Sequence, residues 1–138
     1  MTGLHTYLNF DGTCRDAMTF YAECLGAELE IMPFSIAEGQ FPFPEEARDR
    51  VIHARLSKGS AQLMASDTMP GMPYTPGNNF SVSVACETAE EVDRLYHAFL
   101  QGGKESMAPH DAFWGARFAA LTDRFGVQWM FNFEYPKQ

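Results

Sequence analysis

Two stretches of the chain carry the same helical pattern, and this repetition constrains the fold more than any other feature. Residues 13–26 and 88–102 place apolar side chains at the same five offsets along one helical face. Each stretch starts with a threonine that can cap a helix and ends at a glycine that can adopt the left-handed terminating conformation. The apolar positions are Ala17, Phe20, Tyr21, Cys24 and Leu25, and then Val92, Leu95, Tyr96, Phe99 and Leu100. We predict two equivalent helices and an internal duplication.

Short alternating segments around each helix predict strands, and they follow the same order in both halves. The first half has them at residues 5–10, 27–34, 51–57 and 61–66, and the second at 80–86, 104–108, 116–122 and 127–133. Proline and glycine are dense at residues 69–78, which indicates a linker. We predict a single α+β domain of two βαβββ halves, residues 1–68 and 79–138. Two such sheets would form one curved mixed sheet, with the helices outside and a concave cup inside.

The charge of the chain narrows the classes of partner. The net charge is −8 and the ten basic residues are scattered, which argues against a nucleic-acid partner. The sequence shows neither an apolar run of about 18 residues nor a signal-peptide pattern, so we expect a cytoplasmic protein without a membrane partner. The three cysteines have no metal-ligand spacing and imply no disulfide framework.

Strand alternation predicts which side chains face the cup. Leu8 and Phe10 form the apolar set of the first strand, so Tyr7 is expected on the cup side. Arg55 and Arg117 have matching local sequences, and we expect them to converge on an anionic group. The predicted cup residues are His5, Tyr7, Asn9, His53, Arg55, Gln62, Met64, Ser66, Arg117, Gln128, Met130 and Asn132. A solvent-filled cleft with internal hydrogen bonds is the alternative interpretation.

Four segments in this order resemble the vicinal oxygen chelate superfamily of glyoxalases, bleomycin-resistance proteins and extradiol dioxygenases. They are YLNFDGTCRDAMTFYAECLGAE (7–28), IHARL (52–56), LMASD (63–67) and FWGARFAALTDRFGVQWMFN (113–132). The resemblance is strongest to the PhnB-like branch, which is also labelled as demethylubiquinone methyltransferase-like. It implies a glyoxalase-like fold and a homodimer. The FPFP segment at 41–44 could then pack against the partner or against its own chain.

The resemblance also implies a divalent metal held by four histidine or glutamate side chains from four strands. The positions that match are His5, a residue near Met64, Phe80 or Asn79, and Met130. Only the first of these is a good ligand, so we predict that the usual metal site is absent. A displaced site with His5 and His53, joined by Glu38 or Asp67, is the alternative, and a divalent metal is the one cofactor considered.

These observations predict a protein that binds a small, possibly anionic molecule in the cup. The residues expected to contact the ligand are Tyr7, Arg55, Gln62, Met64, Trp114, Arg117, Met130 and Asn132, and Trp114 and His110 are expected in a loop at the mouth of the cup. The alternative is a metal-dependent lyase, isomerase or dioxygenase that uses His5 and His53 for catalysis. We do not expect a methyltransferase, because the sequence has no glycine-rich turn after a first parallel strand.

Overall fold

The protein is described here by a computed structural model that covers residues 1–137. The chain divides into two compact units, Met1–Thr75 and Pro76–Gln138. Each unit contains one βαβββ module with a four-stranded sheet, so the predicted duplication and the α+β class are confirmed. The predicted strands all form, with ends that differ from the predicted ends by a few residues.

The first unit consists of one helix and four strands in the order β1-β4-β3-β2. Strand β1 runs parallel to β4, and the other neighbouring strands are antiparallel. The elements are β1 (Tyr7–Phe10), α1 (Cys14–Leu25), β2 (Glu28–Pro33), β3 (Val51–Lys58) and β4 (Ala61–Asp67). Two short 3₁₀ turns, Phe34–Ala37 and Glu45–Ala47, lie between β2 and β3.

The second unit repeats this arrangement with the strand order β5-β8-β7-β6. Its elements are β5 (Val82–Ala85), α2 (Ala89–Phe99), β6 (Lys104–Ala112), β7 (Ala116–Thr122) and β8 (Gln128–Glu134). Strand β6 is longer than the predicted 104–108, because irregular pairing with β7 carries it past Pro109. The prediction that His110 lies in a loop is therefore wrong, since it pairs with Phe118 within the sheet.

The two sheets can be compared position by position when they are aligned by strand order and by the alternation of buried residues. In the first sheet, the row across the strands is Tyr7, Met64, Arg55 and Glu30. In the second sheet, the equivalent row is Ser83, Met130, Ala120 and Met107. Met64 and Met130 therefore hold the same position in the two units, and the counterpart of Arg55 is Ala120.

Each helix covers one face of its own sheet with large apolar side chains. In the first unit Tyr21 of α1 is fully buried, and Leu8 and Phe10 of β1 are only 3% and 1% exposed. In the second unit Phe99 of α2 meets Trp129 and Phe131 of β8, with ring centroids 4.5 and 5.2 Å apart. Burying a side chain of this size contributes about 2 kcal/mol, so these faces hold the helices in place.

The helix ends differ from the predicted symmetry. The Thr88 hydroxyl accepts a hydrogen bond from the Glu91 N–H at 3.0 Å, as predicted, but Thr13 makes no side-chain capping bond. Helix α1 ends at Gly26 with a positive φ of 65°, as predicted. Helix α2 ends at Phe99, and Gly102 adopts the predicted left-handed conformation three residues later, with a φ of 75°.

The FPFP segment packs within its own unit. Phe41 and Phe43 contact the buried Phe34, with ring centroids 6.2 and 5.9 Å away, and they also contact each other. Phe41 remains 40% exposed, and Ile36 in the first 3₁₀ turn is 59% exposed. The intrachain packing is thus observed, and the homodimer stays a prediction.

Candidate functional site

The sheet face opposite the helix is called the open face of each unit. On the first open face, Tyr7 and Asn9 are exposed beside the buried Leu8 and Phe10. Strand β4 alternates in the same way, which places Gln62, Met64 and Ser66 on this face as predicted. In β3 the pairing with β2 skips Ile52, so that Val51 is buried and Ile52 is half-buried at the start of the strand.

A hydrogen bond joins two of the predicted site residues on the first open face. The Tyr7 hydroxyl lies 3.1 Å from His53 Nδ1, and the two ring centroids are 5.8 Å apart. Tyr7 belongs to β1 and His53 to β3, so the bond reaches across the intervening strand β4. Neither side chain is buried, and the pair can therefore meet a molecule in solution.

The one arginine on this face already has an acidic partner. Arg55 Nη2 lies 3.0 Å from the Glu30 carboxylate on β2, and both side chains are largely exposed. An exposed pair of this kind is weak, but it neutralises the positive charge that the anion-binding prediction required. The first open face is therefore polar, and its Arg55 is already paired with an acid.

The structure places Arg117 on the opposite side of its sheet from the predicted one. Arg117 pairs with Phe133 across β7 and β8, and directly opposed residues share a face. Its guanidinium makes two 3.0 Å hydrogen bonds to Asp93 of helix α2, so it lies on the helix side. The prediction that Arg117 faces the cup from a position equivalent to that of Arg55 is wrong.

A second acid extends the contacts of Arg117 on that side. The Asp111 carboxylate lies 3.5 Å from Arg117 Nη1 and accepts a 2.6 Å hydrogen bond from the Tyr135 hydroxyl. The bond from Tyr135 and the nearby guanidinium hold the pKa of Asp111 below its ordinary value. These contacts link α2, β6 and β7, which indicates a structural role for Arg117.

The second open face is uncharged at its centre. Met130 and Asn132 of β8 lie opposite Ala120 and Phe118 of β7, and all four are half-buried. The Asn132 side-chain amide has no hydrogen-bond partner within residues 1–137, although its backbone carbonyl binds Cys86. An amide among methionine and aromatic side chains is a typical lining for a small-molecule contact surface.

Aromatic rings border this uncharged face at the turn between β6 and β7. Trp114 is 52% exposed and contacts Phe118 at 5.6 Å between ring centroids, in an edge-on arrangement. His110 also meets Phe118 edge-on at 6.1 Å, and its Nδ1 lies 2.8 Å from the Ala108 carbonyl. A carbonyl can only accept, so in this geometry Nδ1 carries a proton that it donates.

Phe118 is the residue of this face that sequence reasoning missed. Apolar residues occupy both alternating sets of positions in β7, so alternation alone could not show which set lies on the open face. The register from the following turn decides it, because Asp123 N–H bonds to the Val127 carbonyl and Thr122 then lies opposite Gln128. Counting back from that turn places Phe118 opposite Asn132.

The donor groups do not fit the metal site of the superfamily. Two of the equivalent positions are the thioethers Met64 and Met130, and within residues 1–137 no group of three or more His, Cys, Asp or Glu residues could hold a metal ion. The acids considered for a displaced site have other partners. Glu38 forms a two-pronged pair with Arg48, and Asp67 is buried and accepts backbone N–H groups. His5 is exposed ahead of β1, and no described contact joins it to His53.

Comparison with known proteins places this geometry in a family. The chain matches the family described as 3-demethylubiquinone-9 3-methyltransferase over residues 2–131. It belongs to this family. It is similar to protein YjdN from Escherichia coli K12, at 32% identity over 94% of this chain and 93% of that protein.

Solved structures support the same assignment. Protein PA1353 from Pseudomonas aeruginosa is 41% identical, with a TM-score of 0.86 over 97% of this chain and 98% of that one. A Bacillus cereus PhnB protein, a putative member of the family by its name, is 27% identical, with a TM-score of 0.76 over 96% of this chain and 99% of that one. The PhnB-like resemblance is therefore confirmed.

More distant structures establish the fold class. Two members of the glyoxalase/bleomycin resistance protein/dioxygenase superfamily, from Burkholderia phytofirmans and Sphaerobacter thermophilus, are each 19% identical with TM-scores of 0.65 and 0.63. At that identity the likeness shows the glyoxalase-like fold alone. Within residues 1–137 no helix is long and apolar enough to cross a membrane.

Proposed function

We propose that this chain is a small-molecule-binding protein whose ligand packs on the open face of the second sheet. The observation that carries the proposal is the set of half-buried, uncharged side chains at the centre of that face. Phe118 and Met130 offer apolar contact, and the Asn132 amide offers a hydrogen bond that no residue in the described part of the chain uses.

The same observation limits the kind of ligand. Both arginines considered for an anion are paired with acids, Arg55 with Glu30 and Arg117 with Asp93. Because the central residues of the second open face carry no charge, we expect an uncharged ligand there, with an aromatic or apolar part against Trp114 and Phe118 and a polar group near Asn132. Aromatic pairs add about 0.5–1.5 kcal/mol beyond the burial of area, so a planar ring is favoured over a saturated one.

The ligand class is tested with two molecules of the same skeleton, 2-naphthol and its saturated counterpart 2-decalol. Binding is followed by thermal shift and by fluorescence, because Trp114 is half-exposed whereas Trp129 is buried against Asp123. We expect 2-naphthol to bind about fivefold more tightly than 2-decalol and to quench Trp114. Equal binding of both molecules would contradict the aromatic contact.

The position of the site is tested with Met130→Ala and Asn132→Ala. Their matched controls are Met72→Ala and Asn78→Ala, which change the same residue types at exposed positions in the segment that joins β4 to β5. Both site variants are expected to weaken 2-naphthol binding about threefold to tenfold, and both controls to leave it unchanged. Full binding by both site variants would show that the ligand does not contact this face.

A further inference from the structure

The Tyr7–His53 pair on the first open face has a hydrogen-bonding atom to spare. The bond to Tyr7 uses His53 Nδ1, at 3.1 Å. The other ring nitrogen, Nε2, has no hydrogen-bond partner within residues 1–137. In this part of the chain, every side-chain nitrogen or oxygen of a half-buried residue either has a hydrogen-bond partner or contacts solvent. His53 is half-buried and its Nε2 has no partner, so Nε2 contacts solvent.

The chemistry of the two groups decides which of them donates. A neutral imidazole nitrogen is a stronger acceptor than a phenol oxygen, and the phenol is a good donor. The Tyr7 hydroxyl therefore donates to Nδ1, and the imidazole carries its proton on Nε2. The hydrogen bond from the Tyr7 hydroxyl fixes the tautomer and the orientation of the His53 ring.

The side chains beside His53 on the neighbouring strands are uncharged. Met32 of β2 lies directly opposite His53. On β4, which lies between the two partners, the residues of this face are Met64 and Ser66. On β3 itself, Arg55 lies two residues after His53 on the same face and forms an ion pair with Glu30.

We infer that the Tyr7–His53 pair is a recognition site for the carbonyl oxygen of an uncharged small molecule. His53 Nε2–H donates the hydrogen bond to that oxygen, and Tyr7 is the positioning residue that holds the donor tautomer. The site lies on the first sheet and does not depend on ligand binding to the second sheet, so each can fail without the other.

The role of Tyr7 is tested by ¹⁵N NMR of the histidine ring nitrogens in the whole protein near pH 8. The wild type is expected to hold His53 in the Nε2–H tautomer, and Tyr7→Phe to give a mixture of both tautomers. Tyr74→Phe is the matched control, because it removes another hydroxyl of the same unit, one that donates to the Asn9 carbonyl. An Nδ1–H tautomer in the wild type, or an unchanged tautomer in Tyr7→Phe, would overturn the inference.

The recognition step is tested with cyclohexanone and methylenecyclohexane, which share a shape but differ in the acceptor oxygen. Cyclohexanone is expected to shift the His53 Nε2 and Hε1 signals of the wild type. Its binding, measured by thermal shift, is expected to be about fivefold weaker in His53→Phe and unchanged in Tyr74→Phe. Methylenecyclohexane is expected to leave these signals in place. Equal shifts with both molecules, or no loss in His53→Phe, would overturn the carbonyl assignment.

Discussion

The open faces of the two units share a register but differ in chemistry. The first carries the Tyr7–His53 hydrogen bond and the Arg55–Glu30 ion pair. At the position equivalent to Arg55, the second face has Ala120, next to the shared methionine. The backbone repeat is thus retained while one face stays polar and the other becomes apolar and aromatic. The two units therefore present open faces of different chemistry on the same backbone arrangement.

The two units also differ in the hydrogen bonds that hold the start of each helix. In the first unit the buried carboxylate of Asp67 accepts N–H groups of Gly12, Cys14 and Val51 at 2.9–3.0 Å. In the second unit Thr88 caps α2 locally, and the Glu91 side chain accepts the Glu87 N–H at 2.8 Å. The first helix start thus depends on a residue distant in sequence, and the second on its own neighbours.

Replacing Asp67 with alanine is expected to give the largest effect on stability. The change leaves three backbone N–H groups without their acceptor, and we expect a loss of about 3–5 kcal/mol in the free energy of unfolding. Chemical denaturation measures it, with the exposed Asp49→Ala as control. A loss no greater than that of the control would show that Asp67 does not hold the first helix start.

We expect Arg117 and Arg55 to differ in how much each contributes to the free energy of unfolding. Arg117→Met removes two hydrogen bonds to Asp93 from a side chain that is 24% exposed, and we expect a loss of about 1.5 kcal/mol. Arg55→Met removes one exposed pair, and we expect no measurable change. Denaturation of both variants measures the difference, and equal losses would remove the structural role assigned to Arg117.

The two threonines test the helix starts directly. Thr88→Ala is expected to cost about 1 kcal/mol, because its hydroxyl caps α2. Thr13→Ala is expected to cost almost nothing, because its side chain makes no capping bond. Thermal or chemical unfolding of this matched pair gives the answer, and a comparable cost at Thr13 would restore the symmetric capping that the sequence suggested.

Alkaline pH is expected to give the smallest effect. Burial raises the pKa of the Cys14 thiol to about 12 and that of Cys86 to about 11, from an ordinary value of 9.0. A raised folded pKa contributes stability that is complete below the unfolded value and is lost as pH rises toward the folded one.

Between pH 7.5 and 9 the loss is expected to stay below about 0.5 kcal/mol for each thiol. Denaturation of the wild type and Cys14→Ala across this range measures it, since the alanine variant lacks one of the two contributions. Parallel pH dependence in the two proteins would contradict the burial effect at Cys14.

Local sequence was sufficient for the repeated elements, because helical periodicity and strand alternation are local properties. It placed Tyr7, Met64, Met130 and Asn132 on the open faces correctly. It failed at Arg117, where apolar residues on both faces of β7 left the register to the following turn. It also could not show that Asp67 replaces Thr13 at the start of α1, because that contact joins residues more than fifty positions apart.

The most direct test of the difference between the two open faces uses their shared methionine position. Methyl-labelled methionine NMR reports on Met64 and Met130 in one spectrum, with Met64→Leu and Met130→Leu to assign the signals. Addition of 2-naphthol is predicted to shift the Met130 methyl signal strongly and to leave the Met64 signal in place. A shift of Met64 with no change at Met130 would contradict the assignment of the small-molecule site to the second sheet.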